Sequence, residues 1–199
     1  MVAGWPVPLE TLSIVTHSMG GLVARGAVHA AERAGAGWPR RLRHLIFLGT
    51  PHHGAPLERG GQWLHRILGA VPYARPLGRL GSVRSAGITD LRHGNVVEED
   101  WRGRDRFAPH GDRRRPLPLP AGVVCCAVAA TTRPEARGLH GRLIGDGLVP
   151  LASALGRHPD PAFDLAIPPE RTWIARGTGH LDLLARREVY ERLRGWLAD

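Results

Sequence analysis

A serine, an aspartate and a histidine stand where together they could perform one reaction. Ser18 lies within Thr16-His17-Ser18-Met19-Gly20-Gly21, Asp146 between Gly145 and Gly147, and His180 after Gly177-Thr178-Gly179. A serine hydroxyl is a poor nucleophile until a base takes its proton. Histidine is the usual base, and a carboxylate holds it in one tautomer and stabilises its cation. Each residue also has a plain reading: a serine or aspartate in a glycine-rich turn is ordinarily a turn residue, and a histidine before a helix is ordinarily a cap. The context of Ser18 favours chemistry. An apolar run, Leu12-Ser13-Ile14-Val15, precedes it, and a helix-like run, Leu22-Val23-Ala24-Arg25-Gly26-Ala27-Val28, follows. Strand, tight turn with serine at the apex, then helix is the setting of a nucleophile elbow. Small residues must flank the serine so that strand and helix can approach. Gly20 is expected to serve that need, while Thr16 stands where the usual G-x-S-x-G pattern has its first glycine.

Other reactive side chains read more simply. His17 should point away from Ser18 at a sharp turn, to pack or hydrogen-bond beneath the elbow. His52 and His53 are adjacent, so they diverge, and no set of carboxylates or cysteines near them completes a metal site. They are expected to line the pocket mouth or orient their loop. Asp160 and Asp164 lie among prolines in a surface-loop pattern, and Asp182 reads as a first-turn helix charge. Cys125 and Cys126 are the two cysteines; as strand neighbours they face opposite ways and are expected to be buried free thiols. No metal and no cofactor is called for.

The elements that must position these residues follow from the hydrophobic pattern. Residues 12–15, 45–48, 122–130 and 172–175 are apolar runs of strand length, read as buried strands. A helix is expected from 19 to about 34, ended by Gly35 and Gly37, and an amphipathic helix over 183–197. Apolar strands alternating with helices indicate an α/β fold with a mostly parallel sheet covered on both faces. Ser18, Asp146 and His180 each fall in a loop after a strand, and those loops gather at the carboxyl edge of such a sheet. Residues 55–120 break the pattern and read as a lid-like insertion within one domain spanning 1–199. A helix is expected there over 62–70, and Trp63, Leu64, Ile67 and Leu68 are equally suited to an acyl-binding lid and to ordinary core.

At this point the chain resembles the α/β-hydrolase superfamily, in its lipase and GPI-inositol-deacylase-like group. The resemblance rests on Val15-Thr16-His17-Ser18-Met19-Gly20-Gly21-Leu22-Val23-Ala24-Arg25 and Leu48-Gly49-Thr50-Pro51-His52-His53-Gly54, with Gly145-Asp146-Gly147-Leu148-Val149-Pro150 and Gly179-His180 in matching order. The resemblance implies an ester hydrolase acting through an acyl-enzyme. Ser18 would be nucleophile, His180 base and acid, Asp146 the orienting carboxylate, and the Met19 N–H an oxyanion-hole donor. In the resembling fold several strands precede the nucleophile strand, whereas fewer than a dozen residues precede Leu12 here. The expectation is therefore an N-terminally truncated form, without the second oxyanion donor. The nucleophile strand would be left as a sheet edge open to self-association.

Size and charge bound the alternatives. The chain has 199 residues and a formal charge of +9, and all 27 basic residues are arginine. Arg113-Arg114-Arg115 is the only dense cluster and no nucleic-acid reading module is visible, so nucleic-acid binding is not expected. No run is long and apolar enough for a transmembrane helix, and no signal-peptide pattern opens the chain. The expected partner is a small ester or lipid substrate. The competing readings are an acyltransferase using the same triad, and a non-catalytic fragment or pseudoenzyme that keeps the residues without a working pocket.

Overall fold

The computed structural model describes residues 4–55, 90, 92–103, 114–133 and 145–198. Its sheet has four strands, β1 (Leu12–His17), β2 (Leu42–Leu48), β3 (Val124–Thr131) and β4 (Thr172–Arg176), in the order β1-β2-β3-β4. All three pairings are parallel. Around the sheet lie helices α1 (Gly20–Arg33), α2 (Leu151–Ala154) and α3 (Arg187–Ala198).

Side-chain alternation sorts the core into two faces. Leu45, Phe47 and Cys125 meet Ala24 of α1, and Ala127 and Ala129 meet Leu151 and Ala154 of α2. On the other face Ile46, Leu48, Cys126, Val128 and Ala130 meet Leu183 and, from α3, Val189 and Trp196. Leu45, Ile46 and Phe47 are fully buried, and each such side chain stabilises the fold by about 1.5–3 kcal/mol. The two cysteines are buried free thiols on opposite faces; burial, with Cys126 beside it, pushes the Cys125 thiol up to about 12.

The four expected strands form, with ends that move by a few residues. β1 departs from the expected buried strand. Ile14 packs against the core beneath α1, but Val15 on the opposite face is 45% exposed, because the core that α3 closes there draws on β2, β3 and β4 and takes in no residue of β1. The expected helix over 183–197 is also divided. Asp182–Leu184 is a separate 3-10 turn, with Leu183 buried in the core and the Asp182 carboxylate accepting the Gly179 N–H at 2.9 Å, and α3 begins at Arg187. A separate turn, with Asp182 tied back to Gly179, ends the first segment before the amphipathic helix starts.

Of the stretch 55–120 expected to be an insertion, the helix expected over 62–70 and its Trp63, Leu64, Ile67 and Leu68 lie outside the described residues. Among the described residues, Asp100 ties Val96 and Val97 to Arg115. Its carboxylate is buried and accepts the N–H groups of Val96, Val97 and Arg115 at 2.7–3.1 Å. Among the described residues no helix is long and apolar enough to cross a membrane.

Candidate active site

β1 delivers Ser18 at its carboxyl end. Ser18 has φ +56°, a left-handed conformation that costs a non-glycine residue on the order of 1–3 kcal/mol. Neighbouring bonds hold it there: its N–H donates to the Leu48 carbonyl at 2.9 Å, and its own carbonyl accepts the Gly21 N–H at 3.1 Å. Met19 is the N-cap of α1, so its N–H belongs to the first-turn donors that have no partner inside the helix.

The close approach around the elbow is made differently from the sequence expectation. A Cβ on Gly20 would meet only the Thr16 Cβ, at 3.8 Å, an ordinary contact that leaves room for threonine in the first motif position. The Thr16 hydroxyl donates to the Ile46 carbonyl at 2.9 Å and ties β1 to β2. Gly21 is the sterically demanding glycine, because a Cβ there would overlap the Thr50 side chain.

His180 follows β4 and Asp146 precedes α2, and the fold brings them together. His180 Nδ1 and Asp146 Oδ2 are 2.6 Å apart, and both side chains are almost wholly buried. The other carboxylate oxygen accepts the N–H groups of Leu148 and Val149, at 3.0 and 2.8 Å. Asp146 is thus both a turn aspartate and the partner of a histidine. A carboxylate can only accept, so Nδ1 carries the proton and a neutral His180 presents a lone pair at Nε2. That Nε2 is buried without a hydrogen-bond partner, and so is Ser18 Oγ; the two are not hydrogen-bonded to each other in this structure.

Two residues support His180 in ways the sequence did not foretell. His17 Nε2 donates to the His180 carbonyl at 3.0 Å, and the two rings lie 4.7 Å apart. His17 therefore braces the histidine loop, and burial lowers its pKa. Gly49, at φ +57°, seats the ring: a Cβ there would lie 3.1 Å from His180 Nδ1 and Cε1. The Gly-Thr-Pro stretch closing β2 was the available signal for Gly49.

The remaining sequence candidates fall elsewhere. His52 is fully buried, edge-on to Phe47 at 4.6 Å, and so lies inside and not at a pocket mouth. The His53 N–H donates to Ser153 Oγ at 3.0 Å, which orients the loop after β2. Asp160 and Asp164 accept N–H groups of their own loop. No three metal-ligating side chains cluster among the described residues.

Comparison with known proteins places this architecture. The PGAP1-like alpha/beta domain family matches residues 6–114, more than half of the chain. The chain belongs to that family. This PGAP1-like domain also resembles a solved meta-cleavage product hydrolase from Pseudomonas fluorescens IP01, a mutant complexed with acetates. Identity is 16% and the TM-score 0.45, over 96% of this chain and 65% of that one. No curated protein matches this chain. Its parallel sheet with flanking helices is the α/β architecture that the family's description names.

Proposed function

We propose that this chain is a serine hydrolase of carboxylic esters, lipase- or esterase-like, with Ser18, His180 and Asp146 as its triad. The observation that carries the reading is the buried Asp146–His180 bond at 2.6 Å, which leaves Nε2 as a base at the sheet edge that carries the strained Ser18. Ser18 Oγ attacks the ester carbonyl carbon while its proton passes to His180 Nε2. The Met19 N–H donates to the oxyanion that forms. Collapse breaks the bond to the alcohol, which leaves with the proton from His180. Water, deprotonated by the same Nε2, then cleaves the acyl-enzyme and restores Ser18.

The whole chain, 1–199, acts in this reading as one domain, with 55–120 as a lid. The Arg25–Leu117 and Arg114–His52 bonds support it, since they tie the end of the insertion back to α1 and the loop after β2. The missing Ser18–His180 hydrogen bond favours a non-catalytic reading. Such bonds are, however, often long before substrate binds and tighten in the reacting complex.

The test is hydrolysis of p-nitrophenyl butyrate, with fluorophosphonate labelling and circular dichroism as a check of folding. Ser18→Ala should lower turnover by up to ~10⁶-fold and abolish labelling. A folded wild-type chain that neither labels nor turns over would sink the hydrolase reading. Transfer of the acyl group to an added alcohol in preference to water would make it an acyltransferase.

A further inference from the structure

His17 ends β1 and stands immediately before Ser18, and its side chain reaches the main chain of His180. A carbonyl only accepts, so the 3.0 Å contact is the His17 Nε2–H donating to the His180 oxygen. The two rings lie 4.7 Å apart, tilted by 44°. This contact spans the sheet. β1 and β4 stand at opposite ends of the order β1-β2-β3-β4, so three strand spacings, roughly 14 Å, separate them. His180 follows β4, and its loop must fold back across β3 and β2 to come near the elbow. Gly49, at the end of β2, lies on that path: a Cβ there would come within 3.1 Å of the His180 ring.

The loop is anchored at its root, where the Thr178 N–H donates to the Thr131 carbonyl of β3 at 2.9 Å. Asp146 holds the His180 side chain at 2.6 Å, but it comes from the loop before α2 and makes no hydrogen bond to β1. Among the described residues, the His17 bond is the one that ties the loop to β1. Proton transfer needs Ser18 Oγ and His180 Nε2 to come within about 2.6–3.2 Å of each other. No hydrogen bond joins the two in this structure, so their separation is set by the backbones that carry them. Burial lowers the His17 pKa, and the ionisable groups acting on it are His180 and Asp146. Its ring is therefore neutral, and a neutral ring adds no repulsion when His180 takes a proton.

We propose that His17 is a positioning residue for this site: its Nε2–H holds the His180 main chain against the carboxyl end of β1 and so sets the reach from base to nucleophile. The inference rests on the reading of Ser18 as nucleophile and His180 as base. It gives the residue before the nucleophile a part in the rate and not only in stability. A misplacement of about 1 Å between reacting groups costs on the order of 10²-fold.

The experiment compares two amides in the full chain. Glutamine places its amide nitrogen where His17 has Nε2. Asparagine, one methylene shorter, places it where His17 has Nδ1 and cannot reach the carbonyl. With p-nitrophenyl butyrate, His17→Asn should lower kcat by about 10²-fold with KM within about twofold of wild type. His17→Gln should restore kcat to within about fivefold of wild type. The rate of fluorophosphonate labelling at Ser18 should follow kcat in both variants. Circular dichroism and thermal melting report folding. Should His17→Asn fail to fold, His17→Phe, which keeps a ring and loses the donor, takes its place with the same expected loss. A lowered melting temperature with kcat unchanged in the donor-free variant, or a His17→Gln as slow as that variant, overturns the proposal and leaves the hydrolase reading intact. A folded wild-type chain that neither turns over nor labels overturns both.

Discussion

His180 and His52 are both buried histidines at the carboxyl end of the sheet, and their partners give them opposite chemistry. At His180 a carboxylate faces Nδ1 at 2.6 Å, so the ring hydrogen sits on Nδ1 and Nε2 is a base. At His52 a guanidinium faces Nδ1 at 3.4 Å, so the hydrogen sits on Nε2 and the ring is a donor. Burial and the neighbouring Arg25 hold the His52 pKa well below its ordinary value, keeping it neutral. Reactivity at such a position is assigned by the partner and not by the residue type. That is why the His52-His53 pair serves structure while the single His180 is suited to proton transfer.

The sharpest way to break the contrast is to give His180 the wrong partner. In Asp146→Asn the amide oxygen should keep the N–H groups of Leu148 and Val149, which places the NH₂ group opposite His180. That group donates to Nδ1 and forces the hydrogen onto Nε2, the His52 tautomer. Esterase turnover should fall by about 10⁴-fold with the fold retained. Retention of more than a tenth of the wild-type rate would remove Asp146 from the triad.

A second measurement tests the other histidine through the pH dependence of stability. The unfolded chain protonates His52 near 6.5, whereas the folded chain does not until well below that. Between those values the unfolded state holds the extra proton, so stability is full above about pH 7 and falls as pH drops. His53, lowered to about 4 chiefly by burial, and His17, lowered for the same first cause, act in the same direction. Each such proton contributes a slope of about 1.4 kcal/mol per pH unit. Urea unfolding of His52→Gln between pH 5 and 7 should show the slope reduced by close to one proton. An unchanged slope would mean that His52 is already protonated in the folded protein.

The smallest expected effect concerns the motif departure. Thr16→Gly restores the usual glycine but loses the Thr16–Ile46 bond, so it should cost about 1 kcal/mol of stability. Turnover should stay within about twofold, a difference of less than 0.5 kcal/mol in the barrier. A gain of tenfold in turnover would show that threonine at position 16 limits the site.

Much of the architecture was legible beforehand because it depends on neighbours in sequence. Apolar runs of strand length marked β1 to β4, and the strand–serine–glycine–helix order marked the elbow. Chain order placed Asp146 and His180 after later strands, where a parallel sheet brings loops to one edge. Assignments that depended on steric detail were less legible. Gly21 and not Gly20 makes the tight approach, because the neighbour that matters is Thr50 on another loop. β1 is half open because α3 covers other strands, which no property of residues 12–17 reveals.

By itself, then, the amino-acid order determined the element types, the parallel sheet and the short set of residues proposed as nucleophile, base and orienting carboxylate. Periodicity and turn chemistry are local and survive without knowledge of the rest of the chain. Only the tertiary structure decided the protonation pattern. It set Asp146 against a histidine 34 positions away, Arg25 against one 27 positions away, and His17 against the carbonyl of a residue 163 positions away. A hydrogen bond acts over about 3 Å and has a direction, so the chemistry of each histidine existed only once the fold had chosen its neighbour.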